Sequence, residues 1–343
     1  TIKGQEIEFK KVGVDMAILV AGGAGYIGSH TAIALREQGR DVVYLDNLQK
    51  GHRAAVQNDR FYVGDLRDEA FLNRVFEEND IEAVIDFAAD SLVGESVTQP
   101  FQYYNNNVIS TLRLLEAMNR YGVKQIVFSS TAATYGQPER VPILETDTTC
   151  PTNPYGETKL SVEKMLKWVD NAYGIRYIAL RYFNAAGAHK SGKLGEDHKP
   201  ESHLIPIILQ AALGQRDQVS IFGTDYDTED GTCIRDYIHV TDLADAHIKA
   251  IDKLIGGGES GIYNLGNGKG FSVREVIETA RKVTGVNIKA EEAPRRAGDP
   301  AALVASSEAA REQLGWDPQY GDLETIIDSA WNWHKNHPNG YGD

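Results

Sequence analysis

The chain has 343 residues, of which 42% are hydrophobic and 24% charged, and its 49 acidic against 35 basic side chains give a formal charge of −14. A surface of that sign repels nucleic-acid phosphates and anionic lipids, so neither is expected as a partner, and no run is long and apolar enough to span a bilayer. The two cysteines, Cys150 and Cys233, match no metal or redox spacing, and Thr1–Asp15 reads as mixed and charged rather than as a secretory leader, so a cytoplasmic protein is expected.

Residues 1–15 read as an extension or remnant outside the fold, because the first clean apolar strand starts only at Met16. From there short apolar runs predict buried parallel strands at Ala17–Ala21, Val42–Asp46, Phe61–Val63, Ala83–Phe87, Ile126–Ser129 and Tyr177–Tyr182. Between them, apolar residues three or four apart predict helices at Ile27–Gln38, Ala70–Phe76 and Val108–Met118. Strand–helix–strand alternation means an α/β fold, a doubly wound parallel sheet of the Rossmann type, over residues 16–184. After about Ala185 the pattern loosens, with longer loops at Gly187–Pro200 and Gly223–Gly231. Helices return at Leu204–Leu213, Thr241–Leu254 and Leu323–His334, and Ser272-Val-Arg-Glu275 has the form of a capping box that starts another. Residues 185–343 therefore read as a smaller α/β domain closing over the strand ends, with some segments returning to the first.

The first strand runs into Gly22-Gly23-Ala24-Gly25-Tyr26-Ile27-Gly28. Glycines at 22, 25 and 28 permit a tight turn and close approach of backbone to a pyrophosphate, and the helix that follows offers it free amides and a positive dipole end. Glycine spacing alone is weak, but here it follows a strand and opens a helix. The second strand ends at Asp46, where a carboxylate accepts hydrogen bonds from ribose hydroxyls and repels the extra phosphate of NADP. NAD is the expected cofactor. The competing reading of Asp46 as a turn residue loses behind that loop; Asp65, after the third strand, is a weaker candidate for the adenine.

Tyr155 and Lys159 lie four apart at the start of a helix and share one face. Beside an oxidised nicotinamide, a lysine ammonium and the positive ring both favour phenolate, so the tyrosine becomes a base for a sugar hydroxyl. Such a pair recurs by chance in many helices; its place one crossover after Val127-Phe128-Ser129-Ser130-Thr131 is what singles it out. That strand end is expected to bring the Thr131 hydroxyl to the phenol, with Ser129 and Ser130 serving the turn.

Together these residues resemble the extended short-chain dehydrogenase/reductases, and within them the nucleotide-sugar 4-epimerases. The similarity runs from Met16 across essentially the whole chain. Segments carrying it are Gly22–His30, Asp46–Leu48, Phe87–Ala89, Val93–Ser96, Arg181–Asn184, Gly231–Val240, Tyr263–Gly266 and Ala293–Asp299. The resemblance implies reversible 4-epimerisation of UDP-glucose and UDP-galactose with tightly held NAD. It implies NAD contacts from Gly22, Gly25, Tyr26, Ile27, Gly28, Asp46, Asn47, Leu48, Asp65, Leu66, Phe87, Ala88, Ala89, Ser91, Asn106, Ser129, Tyr155, Lys159 and Phe183. Tyr155 would be the base, Lys159 would position the ribose and tune the phenol, and Thr131 would stand for the family's serine. The UDP-sugar would meet Thr131, Tyr155, Asn184, His203, Leu204, Ser220, Phe222, Arg235, Arg296, Asp299 and Leu303, the two arginines suiting a diphosphate. On sequence alone Arg235 and Arg296 could equally be surface ion-pair partners.

Three positions depart from the family pattern: Ser91 replaces a frequent lysine, His203 a frequent asparagine, and Leu303 a wall residue that is tyrosine in some members and small in others. A bulky leucine points to plain glucose and galactose rather than N-acetylated or uronic acid sugars. Dehydratases and decarboxylases of this fold need an acid just after the threonine, where this chain has Ala132 and Ala133. A silent NAD-sensing scaffold would often lack the tyrosine or lysine. In the resembled family, the helices around Val108–Met118 and Tyr155–Val169 pack across a two-fold axis, so a homodimer is expected. No metal is expected: His334 and His337 read as solvated histidines of a polar tail, and the other histidines form no ligand cluster in sequence.

Overall fold

The computed structural model describes residues 16–57, 60–296 and 299–342. The segment 1–15, read from sequence as an extension, lies outside the described residues. Seven strands form the central sheet: β1 (Ala17–Ala21), β2 (Val42–Asp46), β3 (Phe61–Val63), β4 (Ile81–Asp86), β5 (Gln125–Ser129), β6 (Arg176–Tyr182) and β7 (Gly261–Leu265). Their order is β7-β6-β5-β4-β1-β2-β3. Every pairing is parallel, as strands joined by helical crossovers must be.

Strand residues alternate between two helical layers. Ala17, Leu19 and Ala21 pack with Leu72, Leu114, Met118, Val162 and Leu166 on one face. Ile18 and Val20 pack with Leu35, Ile251, Leu254 and Trp316 on the other. The helices are Glu69–Glu78, Ser110–Tyr121 and Pro154–Tyr173 on the first face, and Tyr26–Glu37, Val240–Ile255 and Glu308–Leu314 on the second. This is the doubly wound sheet that the alternation in sequence implied. Each fully buried Leu or Ile contributes about 1.5–3 kcal/mol of transfer free energy, which is why β1 tolerates no polar residue.

The chain leaves this layer after β6 and builds a third core. Helices Leu204–Ala212, Val273–Thr284 and Leu323–Asn336 enclose a parallel pair, Val219–Phe222 with Ala290–Ala293. Ser272 Oγ accepts the Glu275 N–H at 3.1 Å and the Ser272 N–H donates to Glu275 Oε2 at 2.6 Å, the capping box read from sequence. The helix Val240–Ile255 and β7 return to the central sheet. Strand pair Tyr237–His239 with Asn184–Ala186 joins the lobes at the carboxyl end of β6.

One element differs in kind from expectation. The helix read at Val108–Met118 is α-helical only over Ser110–Tyr121; the turn before it, Tyr104–Ile109, is a π-helix. The wider turn places two consecutive asparagines on the site side: Asn106 lines the cofactor cleft, and Asn107 is bonded to Asp90 at 2.8 and 3.0 Å. Single π turns often occur at functional sites for this reason.

Candidate active site

β2 and β4 flank β1 and their chain connections run in opposite directions, so a crevice opens at the carboxyl ends. The loop after β1 occupies it. At Gly28 a side-chain carbon would lie 2.1 Å from the Gly22 carbonyl oxygen, so only hydrogen fits there. Gly25 caps the helix Tyr26–Glu37 without a side chain, leaving its first amides facing the crevice. Asp46 is buried: Oδ2 accepts the Ala24 N–H at 3.0 Å and Oδ1 the Leu48 N–H at 2.8 Å. Burial pushes its carboxyl up, and these backbone donors pull it back. Leu48 sits at φ 59, a left-handed conformation that a bulky residue rarely adopts.

Ten of the residues expected at NAD line one cleft: Gly22, Gly25, Asp46, Asn47, Asp65, Leu66, Phe87, Ala88, Ala89 and Asn106. Glycines at the phosphate end and a backbone-anchored carboxylate at β2 fit a dinucleotide. Asp65 is already gripped by Arg67, whose Nε donates at 2.8 Å, and this fork holds the carboxyl down to about 2. Other expected residues act from outside the cleft. Tyr26 turns its hydroxyl to the Gly187 carbonyl at 2.6 Å, tying the glycine loop to the second lobe. Ile27 packs into the core beneath, and Gly28 is buried. Ser91 is exposed and stands outside the lining of the cleft, ahead of the helix Val93–Thr98. Gln49, Lys50, Gly51, Gly64, Asp90 and Ser110 line the cleft and were missed. All but Ser110, which starts the helix Ser110–Tyr121, lie beside predicted contacts in loops, where periodicity carries no signal.

The tyrosine–lysine pair opens the helix Pro154–Tyr173. Asn153 caps it by accepting the Gly156 N–H at 2.9 Å, and Pro154 fits its first turn, so Tyr155 lies where the helix dipole favours an anion. Its phenol stands near the Thr131 side chain. Thr131 itself is fixed by accepting the Ala133 N–H at 3.2 Å. Burial raises the phenol's pKa and the Thr131 side chain opposes the rise. Lys159, on the same helix face, has its Nζ donating to the Ser129 carbonyl at 2.8 Å and standing 4.7 Å over the Phe128 ring. Burial pushes that ammonium down to about 8, against the pull of Asp86 and Glu163. Ser129 Oγ shares a 2.5 Å hydrogen bond with Tyr182. Phe183 and Leu303 each pack against the cluster of Ala132, Tyr135 and Ile143, which follows Thr131 in the chain.

A second cavity, about 410 Å³, lies under the other lobe, a size suited to a small organic ligand. Eight expected substrate residues line it: Asn184, His203, Leu204, Ser220, Phe222, Arg235, Arg296 and Asp299. Arg235 is mostly buried; it donates to the Ile234 carbonyl at 2.8 Å and the Pro300 carbonyl at 3.0 Å, and faces Asp299 at 3.7 Å. Arg296 stacks 4.0 Å over Phe222 and is exposed. Neither arginine is a plain surface ion pair. Arg216, Gln218 and Tyr237 also line the cavity and were missed.

Two readings of histidine are corrected. His334 is buried in the helix Leu323–Asn336, and His337 stacks on Trp333 at 3.8 Å; the tail is packed, not solvated. Glu196, His198, Glu201 and His203 converge, although the histidines gave no ligand cluster in sequence. The spacing Glu-x-His-x-x-Glu-x-His was the signal available.

A dinucleotide cradle, a half-buried tyrosine beside a buried threonine and a guanidinium-lined cavity define an enzyme of the Rossmann-fold short-chain dehydrogenase type. Residues 18–266 match the NAD dependent epimerase/dehydratase family, and the chain belongs to that family. It is 64% identical over 326 residues to the UDP-glucose 4-epimerase of Halalkalibacterium halodurans, covering 95% of this chain and 98% of that one. A crystal structure of a UDP-glucose 4-epimerase superposes with a TM-score of 0.94 at 58% identity, covering 95% of this chain and 99% of the other. The UDP-glucose 4-epimerase of Bifidobacterium longum, solved with NAD+ and UDP, gives 0.89 at 44% identity, covering 95% and 100%. Among the described residues no helix is long and apolar enough to cross a membrane.

Proposed function

We propose that this chain interconverts UDP-glucose and UDP-galactose by reversible 4-epimerisation with tightly bound NAD. The observation that carries the reading is the Tyr155 phenol set beside the Thr131 side chain at the start of a helix, at the sheet end where the glycine loop opens, with only Ala132, Ala133 and Thr134 following the threonine. That set supplies one proton-transfer group and no second acid, as epimerisation needs and elimination of water does not.

Residues 16–184 would hold NAD and residues 185–343 mainly the UDP-sugar. Asp46 would take the ribose hydroxyls, and its charge excludes a phosphorylated ribose. NAD, when bound, takes a hydride from carbon 4 of the sugar and gives it back. Tyr155 removes the proton of the 4-hydroxyl and returns it, with Thr131 beside it throughout. Lys159 acts by position: anchored on the Ser129 carbonyl, it holds a cation under the strand end and fixes the helix face that carries the phenol. Arg235 and Arg296 would grip the diphosphate, Arg235 with a fork already oriented by two backbone carbonyls. Anchoring remote from carbon 4 leaves the 4-keto sugar free to turn over between proton transfers.

We place this enzyme in the cytoplasm as a homodimer. Val97, Phe101 and Trp168 are 61%, 90% and 72% exposed on helices that pack against one another, an apolar surface suited to a second copy. The test of the chemistry is Tyr155→Phe: it should fold, retain NAD and lose turnover of UDP-galactose by about 10²–10⁴-fold. Near-normal turnover by that variant overturns the role of Tyr155.

A further inference from the structure

We propose that Glu196, His198, Glu201 and His203 form a site for one divalent transition-metal ion of the zinc class. Its role would be to clip the segment ahead of the helix Leu204–Ala212 into place. Four potential ligand atoms, two imidazole nitrogens and two carboxylate oxygens, lie within 4.8 Å of one another. Glu196 Oε1 is 2.6 Å from His203 Nδ1 and 3.2 Å from His198 Nδ1. The Glu201 carboxylate is 3.5 Å from His203 Nδ1 and 3.8 Å from His198 Nδ1. A tetrahedral shell with bonds of roughly 2.0–2.1 Å has edges of roughly 3.3 Å. The Glu196–His198 and Glu201–His203 contacts already span such edges, and the Glu196–His203 contact has to widen.

The orientation of these atoms is the independent observation. Glu196 Oε1, His198 Nδ1 and His203 Nδ1 are all buried, yet none has a hydrogen-bond partner of acceptable angle despite the short separations. All three lie in one ion-pair cluster, yet none completes an aligned hydrogen bond there. The Glu196 side chain is 5% exposed, so water does not relieve it. A buried polar atom without an aligned partner costs about 1–3 kcal/mol, and three in one place call for a common ligand.

The surroundings are built as metal shells are. Glu201 Oε1 accepts the backbone N–H groups of Ser202 and His203, each at 2.8 Å, which fixes the plane of the carboxylate. Two carboxylates need two positive charges, and one dication supplies both. Mixed nitrogen and oxygen ligands at low coordination number suit Zn²⁺, Co²⁺ or Ni²⁺ rather than Mg²⁺ or Ca²⁺. The location gives the ion something to hold. His198 meets the ring of Tyr26 edge-on at 6.3 Å, and Tyr26 opens the helix of the glycine loop. His203 directly precedes the helix whose first residues line the substrate cavity. One ion would therefore fasten both ligand-binding lobes at a single point.

The test is a titration of the NAD-loaded enzyme, first dialysed against a chelator, with Co²⁺. One equivalent should bind and give the intense visible absorption of a four-coordinate ion, and Zn²⁺ should abolish that absorption by displacement. Glu196→Gln and His198→Ala should each weaken Co²⁺ binding at least tenfold, while His337→Ala, outside the cluster, should not. The wild-type titration decides the question even where a variant fails to fold. Only the weak spectrum of hydrated Co²⁺, or uptake that neither Glu196→Gln nor His198→Ala changes, would overturn the proposal and leave an ion-pair network as the account of these four residues.

Discussion

Gly156→Ala tests how tightly the catalytic geometry is tied to backbone packing. Gly156 is where the start of the helix Pro154–Tyr173 meets the turn at Ala132–Thr134. A side-chain carbon there would lie 2.5 Å from the Ala133 carbonyl oxygen and 3.0 Å from its carbon. These are backbone atoms, so they cannot swing aside, and ordinary contact begins near 3.4 Å. The helix start must retreat by roughly 1 Å in an interior that is packed like a crystal. Tyr155 is the adjacent residue and moves with it, whereas Thr131 belongs to the other side of the contact. A 1 Å error in such a pair costs about 10²-fold in rate, and overpacking costs about 1–3 kcal/mol in stability. Steady-state conversion of UDP-galactose, NAD content and thermal unfolding measure these together. The expected result is a kcat about 100-fold lower, with KM and NAD content little changed and a lower Tm. A kcat close to the wild-type value would refute the claim that the Tyr155–Thr131 contact sets the chemistry.

The wall beside the site gives a specificity prediction: Leu303 packs on the cluster of Ala132, Tyr135 and Ile143, so Leu303→Ser should open space and raise turnover of UDP-N-acetylgalactosamine relative to UDP-galactose, and an unchanged ratio would remove Leu303 from the sugar pocket. Stability should fall in acid. Burial holds His30 at about 3 and His239 and His247 at about 4, against the ordinary 6.5. The unfolded chain gains these protons as pH drops through 6.5 and the native chain does not, so stability present above 6.5 is lost progressively toward pH 4, by roughly 1.4 kcal/mol per pH unit for each histidine. Urea unfolding at several pH values checks this, and His247→Gln should show a shallower slope; an identical slope would remove His247 from the account.

The parts of the molecule that repeat a physical pattern were legible in the sequence. β1 is apolar on both faces because it is covered on both, and the glycine loop needs hydrogen at Gly28, so those residues announce themselves. The Tyr155–Thr131 contact was also legible, since strand order places the end of β5 against the next crossover helix. What escaped depended on geometry that no period encodes. The π turn at Tyr104–Ile109 differs from an α-helix by one residue per turn, yet it decides that Asn106 faces the cleft. His334 looked solvated in a polar tail because the packing that buries it comes from elsewhere in the chain. The convergence of Glu196, His198, Glu201 and His203 needed a loop path that composition does not fix.

The central claim is that a resident dinucleotide and one tyrosine invert carbon 4 without net oxidation. The direct measurement is incubation of the purified enzyme with UDP-galactose and no added NAD, followed by separation of the sugar nucleotides. The account predicts UDP-glucose as the sole new product, approached to the same equilibrium mixture when the reaction starts from UDP-glucose. No conversion by a protein shown to hold NAD, or a dehydrated or decarboxylated sugar in place of UDP-glucose, would contradict it.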